Sequence, residues 1–304
     1  MIETHQKDPA YELASIRDWL RWGVTQFERA GVVYGHGTDN AMDEAAFLIL
    51  SSLNLPVDDI APWLDCRLTQ PERTSLRDLI EARVATRKPA AYLTRTAWIQ
   101  RFKFYVDERA IVPRSYIGEL LLRDGLASLI GEPGAISNVL DLCTGSGCLA
   151  ILAAYIFPNA AIAASDISED ALDVARINVA TYELQDRITL IRSDLFDGIP
   201  QQRFDLILAN PPYVTSASVK GFPPEYRAEP ELAHFGGADG LDLVRRILAD
   251  ARGYLSEEGI LVVEVGQARA ALETAYPGLP FFWLDTEESE GEVFALNAQD
   301  LASI

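Results

Sequence analysis

Four consecutive residues, Asn210-Pro211-Pro212-Tyr213, carry the groups needed to hold a planar NH2 group. The side-chain oxygen of Asn210 and the backbone carbonyl of Pro211 can each accept one N–H of a primary amide or an aromatic amine. The two prolines restrict the backbone, so this carbonyl keeps its direction, and Tyr213 supplies a flat wall. A simple turn after a strand would also favour Asn followed by Pro. We take Asn210, Pro211 and Tyr213 as candidate catalytic residues, and all four as candidate substrate-binding residues.

A second candidate site is a loop that combines an acid with two glycines, Asp141-Leu142-Cys143-Thr144-Gly145-Ser146-Gly147. A G-x-G turn alone is weak evidence, because tight turns often need glycine for structural reasons. Asp166 ends the next predicted strand, where a carboxylate can accept hydrogen bonds from ribose hydroxyls. Asp194 ends the third, where it could bond an adenine amino group. The candidate cofactor-binding residues are Asp141, Thr144, Gly145, Gly147, Asp166, Ile167, Asp194, Leu195 and Asn210.

The charge of these acids indicates the kind of cofactor. Carboxylates at three successive strand ends would repel a pyrophosphate, and the G-x-G-x-x-G pattern is incomplete because Ala150 takes the last position. S-adenosylmethionine carries a sulfonium, an ammonium and a ribose diol, so it suits the site. Together with the tetrapeptide, the loop predicts methyl transfer to an amide or aromatic amine by positioning and electrostatics. No metal and no strong general base are expected, since the proton can leave after transfer.

The elements that must position these residues alternate between strand and helix from residue 138 onwards. The strands are predicted at 139–142, 161–165, 188–191, 204–209, 260–265, 281–284 and 293–296. Helices are predicted at 147–157 and 241–254, and a further helix after Ser168 as its cap. This alternation predicts right-handed crossovers and a mostly parallel, doubly wound α/β sheet. Ligands of such sheets lie beyond the carboxyl ends of the strands.

The first hundred residues differ from the rest, because their apolar residues recur at helical spacing. Helices are predicted at 15–30, 42–53 and 71–88, and residues 98–106 partly alternate, as in a strand or hairpin. We therefore predict a helical substrate-recognition domain at 1–97, a hairpin and linker at 98–115, and a catalytic domain at 116–304. The connection at 214–240 is longer than usual and follows the tetrapeptide, so we expect it to grip the substrate.

The formal net charge of −19 is distributed unevenly along the chain. Residues 1–105 carry 13 basic and 14 acidic side chains, whereas the remainder carries 13 and 31. Within the first part, residues 67–103 hold nine basic and three acidic side chains. An acidic body disfavours binding to nucleic-acid phosphates and attracts basic partners, although a gain in solubility would explain the acidity equally well.

Cysteine usage and hydropathy favour a cytoplasmic protein. The three cysteines, Cys66, Cys143 and Cys148, are an odd number at unpatterned spacing, which disfavours a disulfide framework and a zinc site. Residues 1–10 lack the apolar segment of a signal peptide, and no apolar run reaches the length of a membrane span. We therefore expect no membrane partner.

The tetrapeptide and the acid-glycine loop together resemble the protein-glutamine N5-methyltransferases, and the resemblance extends from Ile16 to Leu296. One branch of that family methylates class-1 release factors, and another methylates the large-subunit ribosomal protein L-three. The release-factor branch typically has Pro-Arg-Pro-Glu-Thr where this chain has Pro113-Arg114-Ser115-Tyr116-Ile117. The segments that resemble the ribosomal-protein branch are Tyr34-Gly35-His36-Gly37-Thr38-Asp39-Asn40, Val112-Pro113-Arg114-Ser115, Glu225-Tyr226-Arg227-Ala228-Glu229-Pro230-Glu231-Leu232 and Gly237-Ala238-Asp239-Gly240-Leu241.

The resemblance implies a Rossmann-like class I S-adenosylmethionine methyltransferase domain with a small N-terminal helical domain. It implies N5-methylation of a glutamine in ribosomal protein L-three. The charge distribution predicts that this substrate is met free or early in assembly, because the acidic body attracts a free polycation. The basic stretch at 67–103 allows a transient contact with ribosomal RNA in a partly built particle, and no DNA partner is expected. The alternatives are methylation of release factors, amino-methylation of a base in ribosomal RNA or DNA, and an assembly factor that keeps its cofactor but performs no needed chemistry.

Several other residues keep two interpretations. His36 either contacts substrate or bonds the backbone of its own loop. Arg114 and Glu119 either line the cofactor entrance or form a structural ion pair. Cys143 and Cys148 are expected to be small buried hydrophobic residues.

Overall fold

The computed structural model describes residues 8–123, 125–287 and 289–303, and the predictions for residues 1–7 lie outside this range. Within the described residues the chain divides into two compact units. One unit, the helical unit, contains the chain up to Thr96 together with Pro223–Ala228. The other, the sheet unit, contains Ala97–Phe222 and the chain from Glu229 onwards. No helix in the described part of the chain is long and apolar enough to cross a membrane.

The helical unit is built from amphipathic helices whose ends are marked in the sequence. Ser15 and Asp18 form a capping box at the start of one helix, and the side chain of Asn40 caps another. Trp19, Phe27 and Leu48 are fully buried in the core between the helices. The helices are α1 at Pro9–Glu12, α2 at Ile16–Ala30, α3 at Ala41–Ser52, α4 at Gln70–Thr86 and α5 at Ala90–Thr94.

The segment Pro223–Ala228 is held in the helical unit by polar and aromatic contacts. The buried Glu225 accepts hydrogen bonds from the backbone N–H of Val33 and from Arg87, both at 3.1 Å. The ring of Tyr226 lies 4.3 Å from that of His36, which is itself buried. His36 is therefore a packing residue of this unit, and neither of the two interpretations offered from the sequence describes that contact.

Several basic side chains of residues 67–103 are used inside the helical unit. Arg83 is 1% exposed and forms a 2.5 Å ion pair with Glu44. Arg87 donates to the backbone carbonyls of Ala30 and Gly31 in addition to its bond to Glu225. Arg83 and Arg87 are therefore engaged inside the unit, which leaves less free positive charge on residues 67–103 for the expected contact with ribosomal RNA.

The sheet unit is a mixed sheet with helices on its faces, which confirms the predicted α/β class. Its strand order is β5-β4-β3-β6-β7-β9-β8, with β3 to β7 parallel and β9 antiparallel to both of its neighbours. A hairpin of β1 and β2 precedes it. The strands are β1 at Ala97–Ile99, β2 at Phe102–Phe104, β3 at Asn138–Leu142, β4 at Ala161–Asp166, β5 at Ile188–Arg192, β6 at Phe204–Ala209, β7 at Leu255–Glu264, β8 at Phe282–Leu284 and β9 at Val293–Asn297.

The helices of this unit bury the faces of the sheet. They are α6 at Tyr116–Leu122, α7 at Ala127–Ile130, α8 at Cys148–Ile156, α9 at Glu169–Thr181, α10 at Ser216–Lys220, α11 at Asp242–Tyr254 and α12 at Arg269–Ala275. In α11 the buried residues are Val244, Ile247, Leu248 and Ala251, at the spacing of one helical face. In α8 the run from Cys148 to Ala154 is buried throughout. This explains why its sequence is apolar without interruption.

The register of the central strands brings their ends to one edge. Leu142 of β3 is opposite Ser165 of β4 on one side and Ala209 of β6 on the other. The residues that follow these positions therefore leave the sheet together. The strand order reverses at β3, and this is where open α/β sheets bind ligands.

Candidate active site

A pocket of about 300 Å3 lies within the sheet unit at the carboxyl ends of these strands. This size is at the lower end of the range for small-molecule sites. The predicted site residues that line it are Gly145, Asp166, Ile167, Asp194, Leu195, Asn210, Pro211, Pro212 and Tyr213. Three other candidates, Asp141, Thr144 and Gly147, do not line it. The structure thus brings the tetrapeptide and most of the cofactor candidates together around one cavity.

Asp166 closes the acid-glycine loop onto the end of β4. One carboxylate oxygen accepts from the backbone N–H of Gly145 and the other from that of Ser168, both at 2.9 Å. Burial raises the pKa of Asp166. Each oxygen keeps a further lone pair for a ligand, and the neighbouring Ile167 is 44% exposed in the pocket wall. The pair offers a hydrogen-bond acceptor beside an apolar surface.

Asp141 lies beneath the loop with its side chain fully buried. One carboxylate oxygen, Oδ2, accepts from the hydroxyl of Thr144 and from the backbone N–H of Ala150, whereas Oδ1 has no hydrogen-bond partner among the residues that the structure describes. Burial raises the pKa of Asp141 to about 7, and the charge of Asp166 adds to the effect. An unpaired oxygen on a buried acid costs free energy, which a cationic group beside it would offset.

Two residues at the strand ends adopt backbone conformations that non-glycine residues rarely use. Cys143 has φ of +57° and Leu195 has φ of +49°, and both line the pocket. Such conformations cost free energy and concentrate at functional sites. Burial raises the pKa of the Cys143 thiol well above its usual range, so the thiol stays protonated. Cys148 is buried as expected, but Cys143 is part of the pocket wall.

Asp194 takes part in an ion pair at the pocket wall. Its carboxylate lies 2.9 Å from the guanidinium of Arg246, and both side chains are nearly half exposed. Arg246, on α11, also lines the pocket. Sequence reasoning missed Arg246, because it lies 52 positions from Asp194 in a helix that shows only amphipathic spacing.

The first and last side chains of the tetrapeptide, those of Asn210 and Tyr213, are each held by a hydrogen bond. The Asn210 amide nitrogen donates to the backbone carbonyl of Arg114 at 3.3 Å. Because the nitrogen is engaged there, the side-chain oxygen is the atom left for a ligand. The Tyr213 hydroxyl donates to Glu264 at 3.2 Å. Burial and the Glu264 charge raise the pKa of Tyr213, so the phenol stays neutral.

The tetrapeptide packs against glycines of two later segments, Gly236 in the 214–240 loop and Gly266 after β7. Val214 exchanges backbone hydrogen bonds with His234 and Gly236, each at 2.9 Å. A Cβ on Gly236 would lie 2.7 Å from the Tyr213 Cα, and one on Gly266 would lie 2.5 Å from the Tyr213 ring. Only glycine permits this approach. The long loop at 214–240 therefore packs against the tetrapeptide, a role that its length alone did not reveal.

Arg114 and Glu119 are both in ion pairs, but not with each other. Arg114 makes a two-pronged contact with Glu229, at 2.9 and 2.8 Å, and lines the pocket. Glu119 lies 3.4 Å from Arg123 and accepts from the backbone N–H of Glu287. Arg114 therefore combines both sequence-based interpretations, whereas Glu119 fits only the structural one.

Fold and site together define an S-adenosylmethionine-dependent methyltransferase with a Rossmann-like sheet. Residues 122–221 match the methyltransferase small domain family. The chain is 50% identical to the ribosomal protein uL3 glutamine methyltransferase of Burkholderia pseudomallei over 297 residues, which covers 95% of this chain and 96% of that protein. It is 52% identical to the corresponding protein of Neisseria meningitidis serogroup A, with 99% of each chain covered. The chain belongs to the ribosomal protein uL3 glutamine methyltransferase family.

Proposed function

We propose that this protein methylates the side-chain amide nitrogen of a glutamine in ribosomal protein uL3. The observation that carries the proposal is the arrangement of Asn210, whose amide nitrogen is bound to Arg114 and whose oxygen is left for a substrate N–H in the pocket wall. The relatives, about half identical over nearly the full length, favour uL3 over the release factors as the protein that carries the glutamine.

Within this proposal, the pocket residues hold the cofactor by charge and shape. The Asp166 carboxylate accepts hydrogen bonds from the ribose hydroxyls, and Ile167 and Leu195 cover the adenine ring. Asp194 bonds the adenine amino group. Asp141 lies beneath the loop rather than in the pocket lining, and its carboxylate favours the cationic end of S-adenosylmethionine through its charge, while S-adenosylmethionine supplies an electrophilic methyl group. Thr144, Gly145 and Gly147 shape the loop that Asp141 and Asp166 hold.

The tetrapeptide contributes positioning in this mechanism. An amide nitrogen is a poor nucleophile because its lone pair is delocalised, so it must be held with that lone pair towards the methyl group. The Asn210 oxygen and the Pro211 carbonyl each accept one N–H, and the Tyr213 ring supports the amide plane. The nitrogen forms a bond to the methyl carbon as the carbon–sulfur bond breaks, and the extra proton then leaves to solvent. No side chain acts as a strong base.

The substrate class follows from charge as well as from the relatives. A free ribosomal protein is basic because it neutralises RNA phosphates, and the acidic majority of this chain attracts such a partner. The same acidity disfavours a nucleic-acid base as the acceptor. The cytoplasm, where uL3 would be met before or during assembly, is the proposed location.

The experiment is a methylation assay with labelled S-adenosylmethionine and four separate acceptors: uL3, a release factor, ribosomal RNA and DNA. We expect label on a glutamine of uL3, located by mass spectrometry, and none in the Asn210→Ala variant. Label on the release factor or on nucleic acid instead would overturn the proposal in favour of the corresponding alternative. Cofactor binding without label on any acceptor would support a non-catalytic assembly role.

A further inference from the structure

Residues 112–116, of which Arg114 lines the pocket, are held by two buried glutamates from distant parts of the chain. Glu229 accepts from the backbone N–H of Val112 at 3.0 Å and from both terminal nitrogens of Arg114. Glu264 accepts from the Ser115 hydroxyl at 2.7 Å and from the backbone N–H of Tyr116 at 3.0 Å. The backbone here is therefore fixed by side-chain carboxylates.

The same glutamates are connected to the tetrapeptide. The carbonyl of Arg114, at the centre of the held segment, accepts from the Asn210 amide. The second oxygen of Glu264 accepts from the Tyr213 hydroxyl. Asn210 is thus bound to a residue that Glu229 holds in place, and Tyr213 is bound to Glu264 itself. Both glutamates lie in the sheet unit.

Burying these two carboxylates costs free energy, and the fold alone does not require that they be buried. Glu229 is 5% exposed as a residue and Glu264 is 2% exposed. The charge of Glu229 is offset by the guanidinium of Arg114, and the His234 ring nitrogen lies 3.2 Å away. A buried ion pair rarely stabilises a protein more than apolar residues of the same volume. Its value here lies in fixing one geometry next to the pocket.

We infer that Glu229 is a positioning residue that sets which way the Asn210 amide faces. The inference rests on the proposed function, since it explains how the Asn210 oxygen is kept towards the substrate. If the Arg114 carbonyl moved, the Asn210 amide nitrogen would lose the acceptor to which it donates, and the amide could rotate by half a turn. Its NH2 group would then meet the N–H groups of the substrate, and donor would oppose donor.

The test compares Glu229→Gln with Glu258→Gln, an exposed position of the sheet unit outside the 214–240 loop that loses the same charge. Glutamine keeps an oxygen for the Val112 N–H but cannot hold both prongs of Arg114. We expect kcat for the uL3 glutamine to fall about tenfold to a hundredfold, as for a small misplacement of a reacting group. The KM for S-adenosylmethionine should change less than about twofold, and Glu258→Gln should leave both constants unchanged.

A double-mutant cycle separates positioning from general loss of structure. If Glu229 acts through Asn210, Glu229→Gln should add less than about a twofold loss once Asn210 is already alanine. The same large loss in both backgrounds would overturn the inference. Should Glu229→Gln fail to fold, Glu229→Asp, which keeps the charge on a shorter side chain, is measured in the same cycle.

A second readout needs no turnover. The side-chain NH2 signals of Asn210, identified by their absence in Asn210→Ala, should shift and exchange faster with solvent in Glu229→Gln, whereas Glu258→Gln should leave them unchanged. Unaltered signals in Glu229→Gln would refute the positioning role. If the wild-type protein methylates no glutamine, the proposed function fails, and these signals alone decide whether Glu229 orients Asn210.

Discussion

Replacing Asp141 by Asn should stabilise the protein without cofactor and weaken its binding of S-adenosylmethionine. Both hydrogen bonds to the Asp141 side chain fall on Oδ2, and Oδ1 has none. An Asn oxygen can therefore take over both contacts, while its NH2 group occupies the position of the unpaired oxygen. The loop is kept, and a buried acid is removed.

The magnitude follows from the pKa. Burial moves the pKa of Asp141 from 3.8 to about 7. The folded state thus holds a proton that the unfolded state has released, so the wild type loses stability as the pH rises from about 4 to about 7. The loss reaches on the order of 4 kcal/mol, taken as an upper limit, and then levels off. Asp141→Asn does not titrate, so its advantage should grow over this range and stay constant above it.

The assay is denaturant unfolding of both proteins without cofactor, from pH 5 to pH 8. Glu264, whose pKa is also raised to about 7 by burial, titrates in both proteins and cancels in the difference. Asp194→Asn serves as a control, because that acid is nearly half exposed and paired with Arg246. Calorimetry should then show weaker cofactor binding to Asp141→Asn. The reasoning would be refuted if the difference in unfolding free energy between the two proteins stayed the same at every pH.

Four further predictions concern the cofactor, the substrate and the helical unit. Asp166→Ala should weaken S-adenosylmethionine binding in calorimetry far more than it changes the circular dichroism spectrum, and unchanged affinity would remove Asp166 from the ribose site. Asn210→Ala should lower kcat by about a hundredfold to a thousandfold while cofactor still binds, because one charge-organising contact is worth roughly 2.7–4 kcal/mol of barrier; near wild-type turnover would contradict the amide-holding mechanism. The kcat/KM with free uL3 should fall as salt rises, since screening shortens the Debye length to about 8 Å near 0.15 M, and free uL3 should be methylated faster than the mature subunit. No salt dependence, or the reverse preference, would assign the acidity to solubility. Exchanging the helical unit, including Pro223–Ala228, for that of a release-factor methyltransferase should slow methylation of uL3, and full retained activity would shift recognition to the rest of the 214–240 loop.

The parallel strands were predictable because their apolar runs end abruptly at polar residues or proline. β6 has the predicted bounds, and β3 and β4 extend the predicted strands by one residue at one end. β7 begins at Leu255, five residues earlier than predicted, because its exposed start contains Glu257 and Glu258. Leu255 pairs with Phe204 and Ile260 pairs with Leu206, with an irregularity between the two pairs, and a one-dimensional pattern does not show that such a polar stretch continues a strand.

The site was predictable where a residue is the last of a strand, as Asp166 is, or follows it directly, as Asn210 does. Asp141 also lies near a strand end, but it is buried beneath the loop and contacts Thr144 and Ala150. Glu229 and Arg246 reach the site through the folding of remote segments, and the charge and spacing of neither residue distinguish it from a surface charge, although Glu229 lies in a segment that carries the family resemblance. Sequence patterns identify the groups at strand ends better than the groups that hold them.

The assignment of Pro223–Ala228 to the helical unit bears on how this chain can be cut or recombined. A fragment that stops at Thr96 lacks Glu225, so the Val33 N–H and Arg87 lose an acceptor they share. It also lacks Tyr226, whose ring covers His36. The helical unit is therefore not a portable module. A break in the chain near residue 97 should leave its two parts associated, because Pro223–Ala228 remains packed in the helical unit. A gene fusion that exchanges only the first 96 residues would combine the new helices with a Pro223–Ala228 segment that does not match them.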